Sequence, residues 1–291
     1  MTRNQLIVLA AGGLLFGILA LTRTVPTHKK GESNPQSTET AAPLNDLAVM
    51  AAARKNLDST ALKTITDLET RRSQATNPKD EVEVLKELSK AWNELNNFVA
   101  GGYYAEKVAD LLPTGEAWAI AGTTYGIGFQ RSQDNEIKKF AARKALAAFE
   151  KARALEPDTV RHGINEALMA VDLSSVDPSM MPMIGAQKLL ELDKKFPNNV
   201  QINLTLGRLS MERSGDFNKA VKRLENILTF ANVEKADLLT THYLLLESYK
   251  QLEDRAKVIF HYDKCIEISG YDKNIQGEFI KSKQTFLKDG K

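Results

Sequence analysis

From Leu44 onward, apolar residues recur at spacings of three and four, in a stretch dominated by Ala, Leu, Glu and Lys. That spacing puts them on one face of a helix, and strand-like alternation is not sustained anywhere. The prolines agree with it. Pro113, Pro157 and Pro197 each follow an amphipathic run, as expected of a residue that stops helices, and they stand 44 and 40 residues apart. A helical pattern punctuated at a near-constant interval constrains the fold strongly. One helix hairpin cannot bury its apolar face, whereas hairpins stacked in tandem bury a continuous core.

The residues within each interval repeat as well. In the last unit Tyr249 is followed by Val258, Tyr262 and Cys265, at offsets of 9, 4 and 3. Before it, Leu206-Gly207 leads to the turn Gly215-Asp216-Phe217 and to Ala220. Earlier, Trp118, Gly122 and Tyr125 precede Ala145, Phe149, Ala152 and Pro157. Leu88, Trp92, Phe98, Gly101, Ala105, Val108 and Pro113 form a first unit, and Ala167, Ala170, Gly185, Leu189, Leu192 and Pro197 an irregular third. Small residues where two helices cross, with a bulky residue one turn on, let the helices pack closely. This pattern resembles the tetratricopeptide repeat (TPR). The departures are Leu246 in the glycine place, Val258 and Cys265 in alanine places, and Glu253-Asp254 where Gly-Asp is usual. Tyr125 and Ala145 lie 20 apart instead of 9. Eleven extra residues are about three helical turns, so both helices are expected to lengthen in phase. Pro178 and Pro182 lengthen the loop of the third unit.

The resemblance implies an all-α, right-handed superhelical solenoid of about five hairpins over residues 82–270, divided near 82–114, 115–159, 160–199, 200–235 and 236–270. Residues 44–81 are expected to form helices that cap it, with Asp58-Ser59-Thr60 as a break or a helix cap. Residues 271–291 are expected to close it through Ile275, Phe279, Ile280 and Phe286. In such solenoids helix A lines the concave face. Carried over, the lining residues are Lys86, Lys90 and Asn93; Thr123; Arg161 and Ile164; Arg208 and Met211; and Tyr243, Glu247 and Lys250. This groove leans basic and suits an acidic or extended peptide. The set of Lys, Asn and Arg that forms the carboxylate clamp of chaperone-binding repeats is not reproduced.

The chain has 39 Lys+Arg against 37 Asp+Glu, but the charge is uneven. Residues 1–30 hold four basic residues and no acid, which leaves 35 basic against 37 acidic elsewhere. The basic residues flank Leu6–Leu21, an uncharged apolar run of 16 residues. As a helix it spans ~24 Å, against ~30 Å for a bilayer core. Asn4, Gln5 and Thr22 bring it close to spanning. A cleaved signal peptide is the rival reading, but Ile18-Leu19-Ala20 is a poor cleavage site. A buried core helix lacks a following partner. An uncleaved anchor over 1–23, in the membrane through residues 5–22, fits best. No cysteine lies near for a lipid anchor. Gly13 and Gly17 are spaced for an anchor dimer, or are filler. Residues 24–43, with three prolines and few large apolar groups, read as a flexible tether. The layout resembles bacterial single-pass TPR proteins of the inner (cytoplasmic) membrane. Arg23, Lys29 and Lys30 favour a cytoplasmic body, and the start-transfer character of the anchor favours a periplasmic one, which we adopt as the expectation.

Chemistry is thin. One cysteine excludes an internal disulfide, and the balanced charge argues against a dominant nucleic-acid surface. His28, His162, His242 and His261 show no zinc-ligand spacing and read as surface or groove residues. Cys265 reads as a buried, inert thiol. Gly122, Gly126 and Gly128 follow no strand, match no phosphate loop, and read as close-packing glycines. Met180, Met181 and Met183 are either loop residues folded onto the solenoid or an adaptable contact surface. No catalytic residue, cofactor, metal or small-molecule substrate is expected. The expected function is that of a non-enzymatic, membrane-tethered scaffold that binds a protein or peptide in the concave groove. The alternative is a chaperone-like accessory that binds unfolded clients.

Overall fold

The computed structural model describes residues 44–181 and 183–288. The expected anchor and tether, residues 1–43, lie outside the described residues. Among the described residues no helix is long and apolar enough to cross a membrane.

Thirteen α-helices and no strands occur among the described residues. They are α1 (Asp46–Lys55), α2 (Ser59–Ser73), α3 (Pro78–Glu94), α4 (Phe98–Leu111), α5 (Gly115–Arg131), α6 (Asn135–Leu155), α7 (Val160–Ser174), α8 (Met183–Lys195), α9 (Val200–Glu212), α10 (Phe217–Ile227), α11 (Lys235–Gln251), α12 (Arg255–Ile268) and α13 (Lys273–Lys288). A 3₁₀ turn, Ser269–Tyr271, joins the last two.

Local chemistry sets the boundaries. The side chains of Asn45, Asp58, Asn77, Asn97, Thr114, Asp134, Asn199, Asp216 and Asp254 each accept a hydrogen bond from a backbone N–H of the helix they precede. Each such cap contributes about 1 kcal/mol to its helix. Asp58 therefore starts a second helix. At the other end, α4, α6 and α8 each stop two residues before Pro113, Pro157 and Pro197. The residue before a proline is pushed out of the helical region. Leu112 (φ −123°, ψ 78°) and Glu156 (φ −131°, ψ 72°) show it directly.

The helices pair as α3–α4, α5–α6, α7–α8, α9–α10 and α11–α12, and each second helix packs on the next hairpin. From α5 onward the first helices of successive hairpins also touch one another, α5 with α7, α7 with α9 and α9 with α11. They form one layer. The second helices form the other. Trp92, Tyr125, Leu189, Leu224 and Leu245 are fully buried between the layers.

The long second hairpin keeps its phase. α5 runs six residues past Tyr125 and α6 begins ten before Ala145, whereas in the last hairpin the corresponding lengths are two and three. The extra residues divide as four and seven, about one and two turns. Tyr125 and Ala145 therefore keep their buried faces. In the third hairpin residues 175–182 separate the helices, against 252–254 in the last. Buried Asp177 organises this loop, accepting from the Ser179 hydroxyl (2.7 Å) and Arg143 Nε (2.8 Å). Met180 packs on the core, while Met181 and Met183 are exposed.

α2 packs on α3, but α1 does not continue the stack. It lies against α4, on the side of the second helices, with Val49, Met50 and Ala53 buried. Lys144 of α6 donates to Asp46 of α1 (2.8 Å) and Glu106 of α4 (3.0 Å), and the Tyr125 hydroxyl donates to Glu106 (2.8 Å). Arg54 of α1 and Tyr104 of α4 both bond Glu69 of α2. At the far end α13 closes the stack. Its Phe279 meets Tyr243 (ring centroids 6.3 Å) and its Phe286 meets Tyr262 (5.9 Å).

Candidate functional site: the inner helix layer

The hairpin crossings decide which helix face is left for a partner. In α5, Gly122 sits against the Phe149 ring and Gly128 against Val99. A Cβ at either would lie 2.7 Å from those carbons, so helix contact takes up this face. The opposite face carries Glu116, Ile120 and Thr123, all exposed, and half-buried Ile127. Their spacing of four, three and four makes one continuous stripe.

The predicted lining residues fall into three groups. Lys86 and Lys90 of α3 are exposed and paired along their own helix, with Glu83 (2.8 Å) and Glu94 (3.7 Å). Asn93 is turned inward. A Cβ on Gly101 of α4 would lie 2.0 Å from its Oδ1, which is buried without a hydrogen-bond partner. It fills a helix crossing.

The central group is open. Thr123 and Arg161 are exposed and Arg208 is half-buried. Among the described residues neither arginine forms a salt bridge; the neighbouring Arg213 does, to Asp172 (2.8 Å), tying α9 to α7. Burial raises the Asp172 carboxyl above the usual range, although Arg213 opposes it. Ile164 is buried, and Met211 packs on the core.

The last group lies under α13. Tyr243, Glu247 and Lys250 are all half-buried. Burial first, and Glu247 second, push the Tyr243 hydroxyl up to about 12. Lys250 donates to Glu247 (2.8 Å) and lies 5.2 Å over the Tyr262 ring. With Glu278, Lys281 and Phe286 of α13 it lines an open cleft. The closing helix thus meets Tyr243 and borders Lys250, and Lys250 engages Glu247.

Two features escaped the pattern reading. Ile120, 55% exposed, shares the stripe of Thr123, and its place three residues earlier was the available signal. The histidine reading needs correction. His162, His242 and His261 are buried, not surface or groove residues. His242 stands seven residues before Tyr249, as Trp118 stands seven before Tyr125, and Trp118 is buried too. That offset marks a core position. Burial pushes the Cys265 thiol up to about 12, and no three His, Cys, Asp or Glu side chains among the described residues converge as a metal site.

No family model matches the sequence, and no curated protein does. Among solved structures the chain is similar to YrrB, described as a TPR protein with an unusual peptide-binding site, at 16% identity and a TM-score of 0.40 over 68% of this chain and 91% of that one. It is similar to TTC0263, a thermophilic TPR protein of Thermus thermophilus, at 16% identity and a TM-score of 0.45 over 69% and 97%. It is also similar to MamA AMB-1, at 17% identity and a TM-score of 0.39 over 64% and 97%.

Proposed function

We propose that this protein is a non-enzymatic adaptor whose inner helix layer holds an extended segment of a partner protein. The observation that carries the reading is the central stretch of that layer. On α5, α7 and α9 it offers exposed Ile120 and Thr123 beside Arg161 and Arg208, two cations without a salt bridge among the described residues. A guanidinium outside a salt bridge can donate to a partner's carboxylate in a bidentate pair, although Arg208 also acts on Glu212 one turn along its helix. The suited segment carries at least one Asp or Glu and an apolar residue. The ends of the layer serve it less, because Lys86, Lys90 and Lys250 are already paired and α13 packs on Tyr243. Residues 5–22, as an anchor in a bacterial inner membrane with the body in the periplasm, raise the local concentration of the site, so modest affinity suffices.

The test is affinity capture from membranes with the full chain, together with a C-terminal reporter fusion that fixes topology. Combined Arg161→Glu and Arg208→Glu should lower recovery of the dominant partner at least ~10-fold, the loss of about one charge-assisted contact. Unchanged recovery refutes the reading. Exposed Met181 and Met183 favour a second one, a chaperone-like accessory with a flexible apolar contact. That reading expects many clients and suppression of aggregation.

A further inference from the structure

The last hairpin holds two imidazoles in a setting that the proposed function does not use. His242 of α11 and His261 of α12 are 7% and 1% exposed, and their Nδ1 atoms lie 2.9 Å apart. One hydrogen must lie between them, so one ring donates and the other accepts. His261 stacks on Tyr249 (ring centroids 5.5 Å, interplanar angle 11°) and meets Phe260 edge-on (5.1 Å). Its Nε2 is buried without a partner.

This geometry fixes where protons go. The neutral pair carries two. The cheaper arrangement has His261 Nδ1–H donating to His242 Nδ1, because the unpaired Nε2 of His261 is then a lone pair and not an orphan N–H. A third proton must bind that Nε2, placing a charge and an unsatisfied donor in the core. A fourth would set two N–H groups facing each other. No carboxylate is free to compensate. Glu225 of α10 already accepts from the Tyr249 hydroxyl (2.7 Å) and pairs with Lys257 (3.6 Å), and Glu267 pairs with Lys264 (2.8 Å). Among the described residues, α9 and α13 bring no charge to bear on either ring.

We propose that the His242–His261 pair is a proton-operated latch of the C-terminal end. Neutral, it joins α11 to α12; protonated, it releases α12 and with it α13, which packs on α12.

Burial first, then His242 and Lys257, hold His261 down at about 4, against the partial opposition of Glu225. Burial, then Lys264, also lowers His242. A lowered folded-state value means the stabilisation is complete above the ordinary value near 6.5 and fades as pH falls from there towards 4. His162 is a built-in contrast. It is buried with its Nε2 against the Glu156 carboxylate (3.0 Å) and faces no second imidazole.

Native-state hydrogen exchange on the full chain at pH 7 and pH 5, corrected for intrinsic rates, tests the latch. Carboxylates at their ordinary values near 4 stay ionised over this range. For His261 alone, protection across α11–α13 should fall ~20-fold between pH 7 and pH 5, while α5 and α6 hold theirs. His261→Phe should abolish the pH dependence, and His162→Asn should keep it. Equal loss in all hairpins, or a pH dependence that persists in both His261→Phe and His242→Phe, overturns the proposal. NMR titration of the imidazoles in the unmodified chain decides if those variants do not fold. A His261 ring titrating near 6.5 in the folded protein also overturns it.

Discussion

Replacing Gly122 by alanine puts the hairpin crossing under direct strain. The new Cβ would lie 2.7 Å from Phe149 Cδ1 and Cε1 and 3.0 Å from Cγ. Carbon atoms in contact prefer ~3.5–4.0 Å, so the ring must retreat by nearly 1 Å. It has little room. Phe149 is 4% exposed and packed in a cluster with Ala145, Leu146 and Met169. Overpacking of this kind costs ~1–3 kcal/mol, and alanine returns ~1 kcal/mol of helix propensity. The expected net is a loss of up to ~2 kcal/mol. Gly277→Ala is the matched control. Gly277 is also helical, but nothing lies within 4 Å of its Cβ position, so propensity acts alone and the helix gains ~1 kcal/mol. Tandem hairpins need not unfold as one unit, so the readouts should be local. Trp92 and Trp118 are the only tryptophans, and their fluorescence during urea unfolding reports on α3 to α6. Exchange of the α13 amides reports on Gly277→Ala. Phe149→Leu should restore part of the loss in Gly122→Ala. If Gly122→Ala stabilises its hairpin as Gly277→Ala does, the close-packing account of the repeat pattern is wrong.

Other outcomes follow from the same geometry. Glu253 holds φ 58° at the turn position filled by Gly215 (φ 63°) in the preceding hairpin and by Asn96 (φ 59°) in the first. Glu253→Gly should relieve this left-handed strain and stabilise the α11–α12 hairpin by ~1 kcal/mol, visible as slower exchange there. An unchanged or lower protection would contradict it. Cys265, fully buried with its thiol pushed up to about 12, should react with a thiol reagent at pH 8 only as fast as its hairpin opens. Prompt labelling of the folded chain would contradict that.

Much of the fold was legible because its determinants are local. Asn, Asp and Thr caps and the prolines lie within a few residues of the boundaries they set. The close-packing residues follow from offsets along single hairpins, as Gly122 against Phe149 and Ala145 beside Tyr125 show. The candidate site was legible only in part. Arg161, Arg208 and Thr123 lie on the open layer, but helix position does not say what covers a residue. Asn93 turned into a crossing, and Tyr243, at the position equivalent to exposed Lys86, went under α13.

By itself, then, the sequence determined the helices, their pairing into hairpins and the residues at each crossing, since those rest on interactions a few turns apart. Only the tertiary structure decided how distant parts meet. The ion pair that docks α1, Asp46 with Lys144, joins positions 98 residues apart. The two histidines acquire their chemistry only when α11 and α12 bring their Nδ1 atoms to 2.9 Å. Periodicity records which face of a helix is apolar. It does not record which surface will press against that face, because that depends on the stacking of every hairpin between.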